Sequence, residues 1–130
     1  MLDIGAGPTW SWTDLALKMT EDSSMSHFVI SNDLGDMDQN KQNNIFVRGD
    51  FLEEQVRTKI AMNLMERRLD TILLDATPNY SGNINTDGQY TMEIFANAIQ
   101  FAAPYLRKGG TFIMRTVDCP AASSNLVRMY

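Results

Sequence analysis

The sequence has one cysteine, Cys119, and one histidine, His27. A single cysteine excludes an internal disulfide framework and any zinc site built on paired cysteines. A single histidine excludes a His-rich metal site. No apolar run approaches the ~18 residues that a membrane span requires. Positive charge is scarce, with 11 basic against 16 acidic side chains and a formal net charge of -5. A chain this acidic does not bind nucleic acid through bulk electrostatics, so any such role rests on a local basic patch or on segments outside the chain. Arg67-Arg68 and Arg107-Lys108 read as solvated helix ends and not as such a patch. A leader pattern is missing as well: Met1 runs straight into the strand-like Leu2-Asp3-Ile4, with no basic n-region and no apolar h-region. A domain seldom opens inside a strand, which predicts a truncated chain. His27, ahead of a strand, reads as a solvated or edge residue, and Cys119 has no activating partner visible in the sequence.

What remains is an ordinary globular composition. The 130 residues are 44% hydrophobic and 21% charged, enough for one domain with its own core. Short apolar runs at Met1–Ile4, Phe28–Ser31, Ile45–Val47, Thr71–Asp75 and Thr111–Val117 read as strands. Helical periodicity falls between them. Leu15, Ala16 and Met19 share one face of a first helix, and Leu52, Val56, Ile60 and Leu64 recur in a second. Asp50 and Glu53 have the spacing of a capping box for that second helix. Met92, Phe95, Ala96, Ile99, Ala102 and Ala103 form the stripe of a third, which Pro104 and the Lys108-Gly109-Gly110 turn should end. The alternation predicts an α/β fold with a mostly parallel sheet in the order 3-2-1-4-5, the strand from Thr111 lying at an open edge. Asn32 to Asn44 reads as a solvated loop between two strands.

In such sheets ligands bind beyond the carboxyl ends of the strands, so the loops there carry the candidate chemistry. Asp3-Ile4-Gly5-Ala6-Gly7-Pro8 ends the first strand. It is either a plain strand-to-helix turn or a loop that lets backbone approach a nucleoside or nucleotide. The dinucleotide fingerprint would need glycine where Trp10 stands. Asp33, ending the second strand, is either a solvated loop residue or an acceptor for two ribose hydroxyls. Asp50 fits a helix N-cap and an acceptor for a base's exocyclic amino group equally, with Phe51 beside the base. Asp75 follows a buried strand and needs a charged or hydrogen-bonded partner, unless Asp75-Ala76-Thr77-Pro78-Asn79 is a simple Asx-turn. Arg115, in an apolar strand, is costly to bury unpaired, and pairing with Asp75 satisfies both.

Taken in order, D-I-G-A-G-P, N-D-L, R-G-D-F, L-D-A-T-P-N-Y-S-G and K-G-G-T-F-I-M-R resemble the FtsJ-like ribosomal RNA 2′-O-ribose methyltransferases over nearly the whole chain. The resemblance implies a Rossmann-like S-adenosylmethionine-dependent methyltransferase fold, truncated at both ends, with residues 1–130 as a single partial domain. It implies S-adenosyl-L-methionine as cofactor and RNA, ribosomal RNA first, as substrate, with no metal and no membrane. Gly5, Gly7, Thr9 and Trp10 then fall where the family holds the methionine part of the cofactor. The family has Pro-Gly-Gly-Trp or Pro-Gly-Ala-Trp there, against Pro8-Thr9-Trp10 here. Asp33 falls near ribose and adenine, Asp50 near adenine, and Asp75 on the aspartate of a Lys-Asp-Lys-Glu catalytic tetrad, where the resemblance also counts it among the cofactor-binding residues.

Arg115 stands where the family has the tetrad's second lysine, the group assigned to deprotonate the 2′-hydroxyl. A guanidinium cannot do so near neutral pH. The tetrad's first lysine would fall before Met1 and its glutamate after Tyr130. Three readings follow: a partial methyltransferase, a non-catalytic relative that keeps the fold as an interaction domain, and a nicotinamide-dependent oxidoreductase. The missing third glycine and the Asp-Ala-Thr-Pro-Asn loop weigh against the last. Target nucleotide, oligomeric state and compartment, whether mitochondrial, cytoplasmic or nuclear, stay open.

Overall fold

A computed structural model describes residues 1–9, 11–21, 28–37, 41–76 and 81–115. The elements run β1 (Leu2–Ile4), α1 (Ser11–Thr20), β2 (Val29–Asp33), β3 (Asn44–Arg48), α2 (Glu54–Leu64), β4 (Leu69–Leu74), α3 (Ile84–Tyr105) and β5 (Leu106–Met114). The strands form one sheet in the order β3-β2-β1-β4-β5. Every pairing is parallel. The expected strand order is observed, with β1 at the centre. The chain winds outward on one side through β2 and β3, then returns to β4 and β5, which puts the switch between β1 and β4.

Side-chain alternation sorts the two faces. Leu2, Ile4, Ile30, Val47, Ile72 and Leu74 project to one side and join α2 (Val56, Ile60, Leu64) and α3 (Ile94, Phe95, Ala98, Phe101) in a single core. Phe51 meets Phe101 edge-on, with ring centroids 5.7 Å apart. Phe95 is fully buried, and truncating it to alanine would cost about 3–5 kcal/mol.

The opposite face is polar at its centre. Asp3, Thr13 and Ser31 are each 0% exposed. Thr13 Oγ1 donates to Asp3 Oδ2 at 2.7 Å, lies 2.8 Å from Ser31 Oγ, and Ser31 Oγ donates to Asn44 Oδ1 at 2.8 Å. This chain of bonds corrects the expected rotation of α1. Leu15 and Met19, which should have faced the core, are 48% and 76% exposed, and Thr13 points inward instead. A buried carboxyl without a donor is costlier than two exposed apolar side chains, so Asp3 sets the helix's rotation.

Three further boundaries differ from expectation. Asp50 does not cap α2: the N-cap is Glu53, whose side chain makes no capping bond to the helix amides. Asp50 instead closes a tight turn, accepting from Leu52 N–H at 2.9 Å on Oδ1 and from Glu53 N–H at 3.0 Å on its carbonyl. Helix α3 starts well before the Met92 stripe, because Asn83 caps it by accepting from the Asn85 and Thr86 amides. Its buried side is Ile94, Phe95, Ala98, Phe101 and Ala102, while Ala96 and Ala103 of the expected stripe are exposed. Pro104 lies inside its last turn, where only one backbone bond is forgone, and the helix stops at Tyr105. Strand β5 begins at Leu106 rather than Thr111. Leu69 pairs with Leu106 and Thr71 with Thr111, so the Lys108-Gly109-Gly110 turn survives as a bulge within the strand. Residues beyond 115 in the expected strand, together with His27 and Cys119, lie outside the described residues.

Asp3 Oδ1 has no hydrogen-bond partner among the described residues. Burial raises the Asp3 carboxyl above its ordinary 3.8; the Thr13 hydroxyl partly opposes this, and the charges of Asp75 and Asp33 add to it. As pH rises past 3.8 the unfolded chain releases this proton before the folded chain does, so stability falls until the raised folded value is passed. Asp3→Asn removes that dependence. The variant should gain on the wild type in urea unfolding as pH rises past 3.8, and the gain should level off once the raised folded value is passed. A stability difference that stays flat with pH would show that Asp3 titrates normally.

Candidate functional site

The carboxyl ends of β1, β2, β3 and β4 open into a cleft of about 1030 Å³. Gly5, Gly7, Thr9, Asp33, Asp50, Asp75 and Arg115 all line it, and Trp10 lies outside the described residues. The topology brings them together. Parallel strands end on the same side of the sheet, so a residue that follows each strand reaches the same opening.

The first loop is held from beneath. Gly5 N–H and Ala6 N–H donate to Asn32 O at 2.9 and 3.1 Å. The Asn32 side chain is 2% exposed and donates to Val47 O and Gly49 O at 2.9 and 3.0 Å. Asn32 therefore locks the ends of β1, β2 and β3 into one platform. Sequence reasoning missed it, because a polar residue at a strand end reads as the start of a loop. Gly5 has φ of +79°, and a Cβ there would come 2.5 Å from the Ala76 backbone. Gly7 has φ of +68°, and a Cβ there would meet nothing within 4 Å, so it faces open space in the cleft wall.

Asp33 is not simply solvated. Its Oδ2 accepts from Gly7 N–H at 3.0 Å and its Oδ1 from Gly35 N–H at 2.8 Å. It ties the glycine loop to the loop after β2 and keeps a lone pair on each oxygen for a further donor. Asp50 has a partner that sequence reasoning did not find. Burial raises the Tyr90 phenol above its ordinary 10.0, and the charge of Asp50 and a hydrogen bond to it push the same way. The amphipathic rhythm of α3 was the available signal, since Tyr90 falls one turn before the buried Ile94. Asp87 lies nearby and accepts from both the amide and the hydroxyl of Ser81, at 2.9 and 2.8 Å. The Ser81 amide is the main reason the Asp87 carboxyl titrates below its ordinary range.

Both oxygens of Asp75 are engaged. Arg115 Nε donates to Oδ1, and Trp12 Nε1 donates to Oδ2 at 3.0 Å. The Asp75 side chain is 13% exposed and that of Arg115 69%. The expected pairing of Asp75 with Arg115 is thus observed, with Trp12 as an unforeseen third member. Their backbones are set by the sheet: Asp75 N–H donates to Ile4 O and Arg115 N–H to Leu74 O, both at 2.9 Å.

The family model of FtsJ-like methyltransferases matches residues 1–130. The chain belongs to this family. This FtsJ-like chain is 31% identical over 115 residues to ribosomal RNA large subunit methyltransferase E of Psychrobacter sp. (strain PRwf-1), covering 88% of the chain and 52% of the relative. The match to the protein of the same name from Neisseria meningitidis serogroup C (strain 053442) is 31% identical and covers 88% and 53%. The chain therefore spans about half the length of the curated relatives it matches. A solved structure from Plasmodium falciparum, assigned as a ribosomal RNA methyltransferase, superposes with a TM-score of 0.82 at 25% identity, covering 98% of this chain and 71% of that one. A short chain dehydrogenase family protein from Francisella tularensis subsp. tularensis SCHU S4 superposes with a TM-score of 0.67 at 16% identity, covering 98% and 59%, and shares the fold.

The FtsJ-like chain thus has the Rossmann-like methyltransferase fold. Among its described residues no helix is long and apolar enough to cross a membrane. No group of three or more His, Cys, Asp or Glu side chains could hold a metal ion, again among the described residues. The cleft's own polarity is anionic on the β2–β3 side, at Asp33 and Asp50, and charge-paired on the β4–β5 side, at Asp75 and Arg115.

Proposed function

We propose that residues 1–130 form one domain of an S-adenosylmethionine-dependent RNA 2′-O-ribose methyltransferase, with ribosomal RNA as the substrate class. The observation that carries this reading is a single cleft lined by Asp33 and Asp50 beside the Gly5–Thr9 loop on one side and by the Asp75–Arg115 pair on the other, which supports a nucleoside half and a reaction half. The nucleoside half fits the cofactor. Gly7 leaves open space at the loop, and Asp33 retains acceptor capacity for ribose hydroxyls. Asp50, with Tyr90 against it, offers an acceptor for adenine's amino group. When bound, S-adenosylmethionine supplies an electrophilic methyl group, so most of the rate comes from positioning. Asp75 would then hold Arg115 and Trp12 at the mouth through which a ribose enters.

Calorimetric titration with S-adenosylmethionine and with NAD tests the reading, since the short chain dehydrogenase fold offers the competing cofactor class. S-adenosylmethionine should bind and NAD should not. Asp50→Ala should weaken S-adenosylmethionine binding by about 1–3 kcal/mol, the cost of stranding a buried polar partner. Equal affinity in wild type and variant would remove Asp50 from the site.

One observation favours a second reading, a non-catalytic relative that acts as an interaction domain. The only cation paired with Asp75 among the described residues is the guanidinium of Arg115, which keeps its proton. S-adenosylmethionine binding with no methyl transfer to RNA, even after Arg115→Lys, would establish that reading.

A further inference from the structure

We propose that Trp12 is the platform on which the base of the target nucleotide stacks while its ribose enters the cleft, with Asp75 setting the angle of the ring. The inference rests on the methyltransferase reading and adds a substrate-binding residue to it.

Trp12 lies near the start of α1 and lines the cleft, yet it is 44% exposed. Tryptophan carries the largest apolar surface of any residue, and leaving nearly half of it in water forgoes stabilisation that burial would supply. Its exposure is therefore informative where it faces a cleft. The ring is not free to swing, because Nε1 donates to Asp75 Oδ2 at 3.0 Å. The charge of Asp75 is already balanced by Arg115 on Oδ1. The indole bond therefore serves orientation, since no charge is left for it to neutralise.

Strand order decides which half of the cleft Trp12 serves. Asp33 ends β2 and Asp50 lies after β3, on one side of the central β1, and Asp75 and Arg115 follow β4 and β5 on the other. Trp12 is bonded to the Asp75 side. With the cofactor's nucleoside on Asp33 and Asp50 and its methionine part over the Gly5–Thr9 loop, the reacting methyl falls toward Asp75, and a substrate ribose beside it brings the target base to Trp12. An aromatic ring of fixed angle beside the reaction position matches what a single-stranded nucleobase offers, a π-face that stacks whatever its sequence. It also suits an acidic chain, because stacking does not depend on net positive charge.

The competing occupant is a protein partner, since Leu15 and Met19 continue from Trp12 along α1 as exposed apolar residues. Fluorescence anisotropy of a short single-stranded RNA separates the two, read beside an oligomer with the same sugar-phosphate backbone but no bases. Both are measured with S-adenosylhomocysteine in excess. Trp12→Ala should weaken binding of the base-containing RNA about 5- to 150-fold and leave the abasic oligomer unchanged within about twofold. Trp12→Phe keeps a ring and should retain most of the affinity. Trp12→Leu keeps apolar bulk on α1 without a π-face and should behave as Trp12→Ala; it stands in if the alanine variant fails to fold. Unchanged RNA binding in Trp12→Ala, the result a protein-docking role predicts, overturns the proposal, as does an equal loss for both oligomers. Wild-type protein that binds S-adenosylmethionine but no RNA overturns the Trp12 proposal and leaves the cofactor reading standing. Wild-type protein that binds neither overturns both.

Discussion

Arg115→Lys should raise methyl transfer to RNA ribose by about 10²–10⁴-fold, the range that a positioned general base contributes. The wild-type chain should show little or no transfer. The reason is chemical. The attacking 2′-hydroxyl must lose its proton, and a guanidinium stays protonated throughout the accessible pH range, whereas an amine releases a proton near neutrality once its surroundings lower its pKa. The geometry needs little change, since residue 115 already sits opposite Asp75 with its backbone fixed to Leu74. The measurement is radiolabelled methyl transfer from S-adenosylmethionine to ribosomal RNA, with wild type and variant each assayed as the 130-residue chain and joined to the flanking segments of a longer relative. A gain in either version places residue 115 at the base position. Wild-type transfer at an ordinary enzymatic rate would put the base elsewhere and overturn this account of Arg115.

The order of the sheet was legible because its signals are local and redundant. Ile72-Leu73-Leu74 is apolar throughout, as a strand covered on both faces must be, and the spacing of glycines after Ile4 marks a turn. The cleft was legible for the same topological reason: once the strands are parallel, the residues that follow them meet. What escaped reading was set by contacts that no local pattern names. The rotation of α1 depends on Thr13 reaching Asp3 and Ser31, which no periodicity within α1 encodes. The role of Asp50 depends on its immediate turn at Leu52 and on Tyr90 from α3. Nothing in the local sequence marks Trp12, and only the approach of Asp75 across the β1–β4 switch gives it a polar task. The Asp75–Arg115 pair was legible because a carboxylate after a buried strand calls for a cation, although Arg115 itself is 69% exposed and not the buried arginine its apolar run suggested.

Gly5→Ala should be among the most damaging single substitutions in the chain, and Gly7→Ala, only two residues away, should be far milder. Both glycines have left-handed backbone, with φ of +79° and +68°, so alanine at either costs about 1–2 kcal/mol in conformation alone. The surroundings then separate them. At Gly7 a methyl group meets nothing within 4 Å. At Gly5 it would lie 2.5 Å from both the amide nitrogen and the Cα of Ala76, and 2.8 Å from the Asp75 carbonyl carbon. Those atoms are backbone and cannot rotate away as a side-chain tip would. Either β1 and β4 must part at their ends or the loop must lift, and overpacking of this kind adds about 1–3 kcal/mol. Lifting the loop would also break the Gly5 N–H bond to Asn32 O and the Asp75 N–H bond to Ile4 O, both 2.9 Å. Urea unfolding should therefore place Gly5→Ala about 2–5 kcal/mol below wild type and Gly7→Ala about 1–2 kcal/mol below it. The same displacement moves Asp75 away from Trp12 and Arg115, so Gly5→Ala should lose RNA binding even at temperatures where it remains folded. Equal destabilisation by the two substitutions would mean that the close approach of Gly5 to Ala76 does not hold the two strand ends together, and that the cleft floor is set elsewhere.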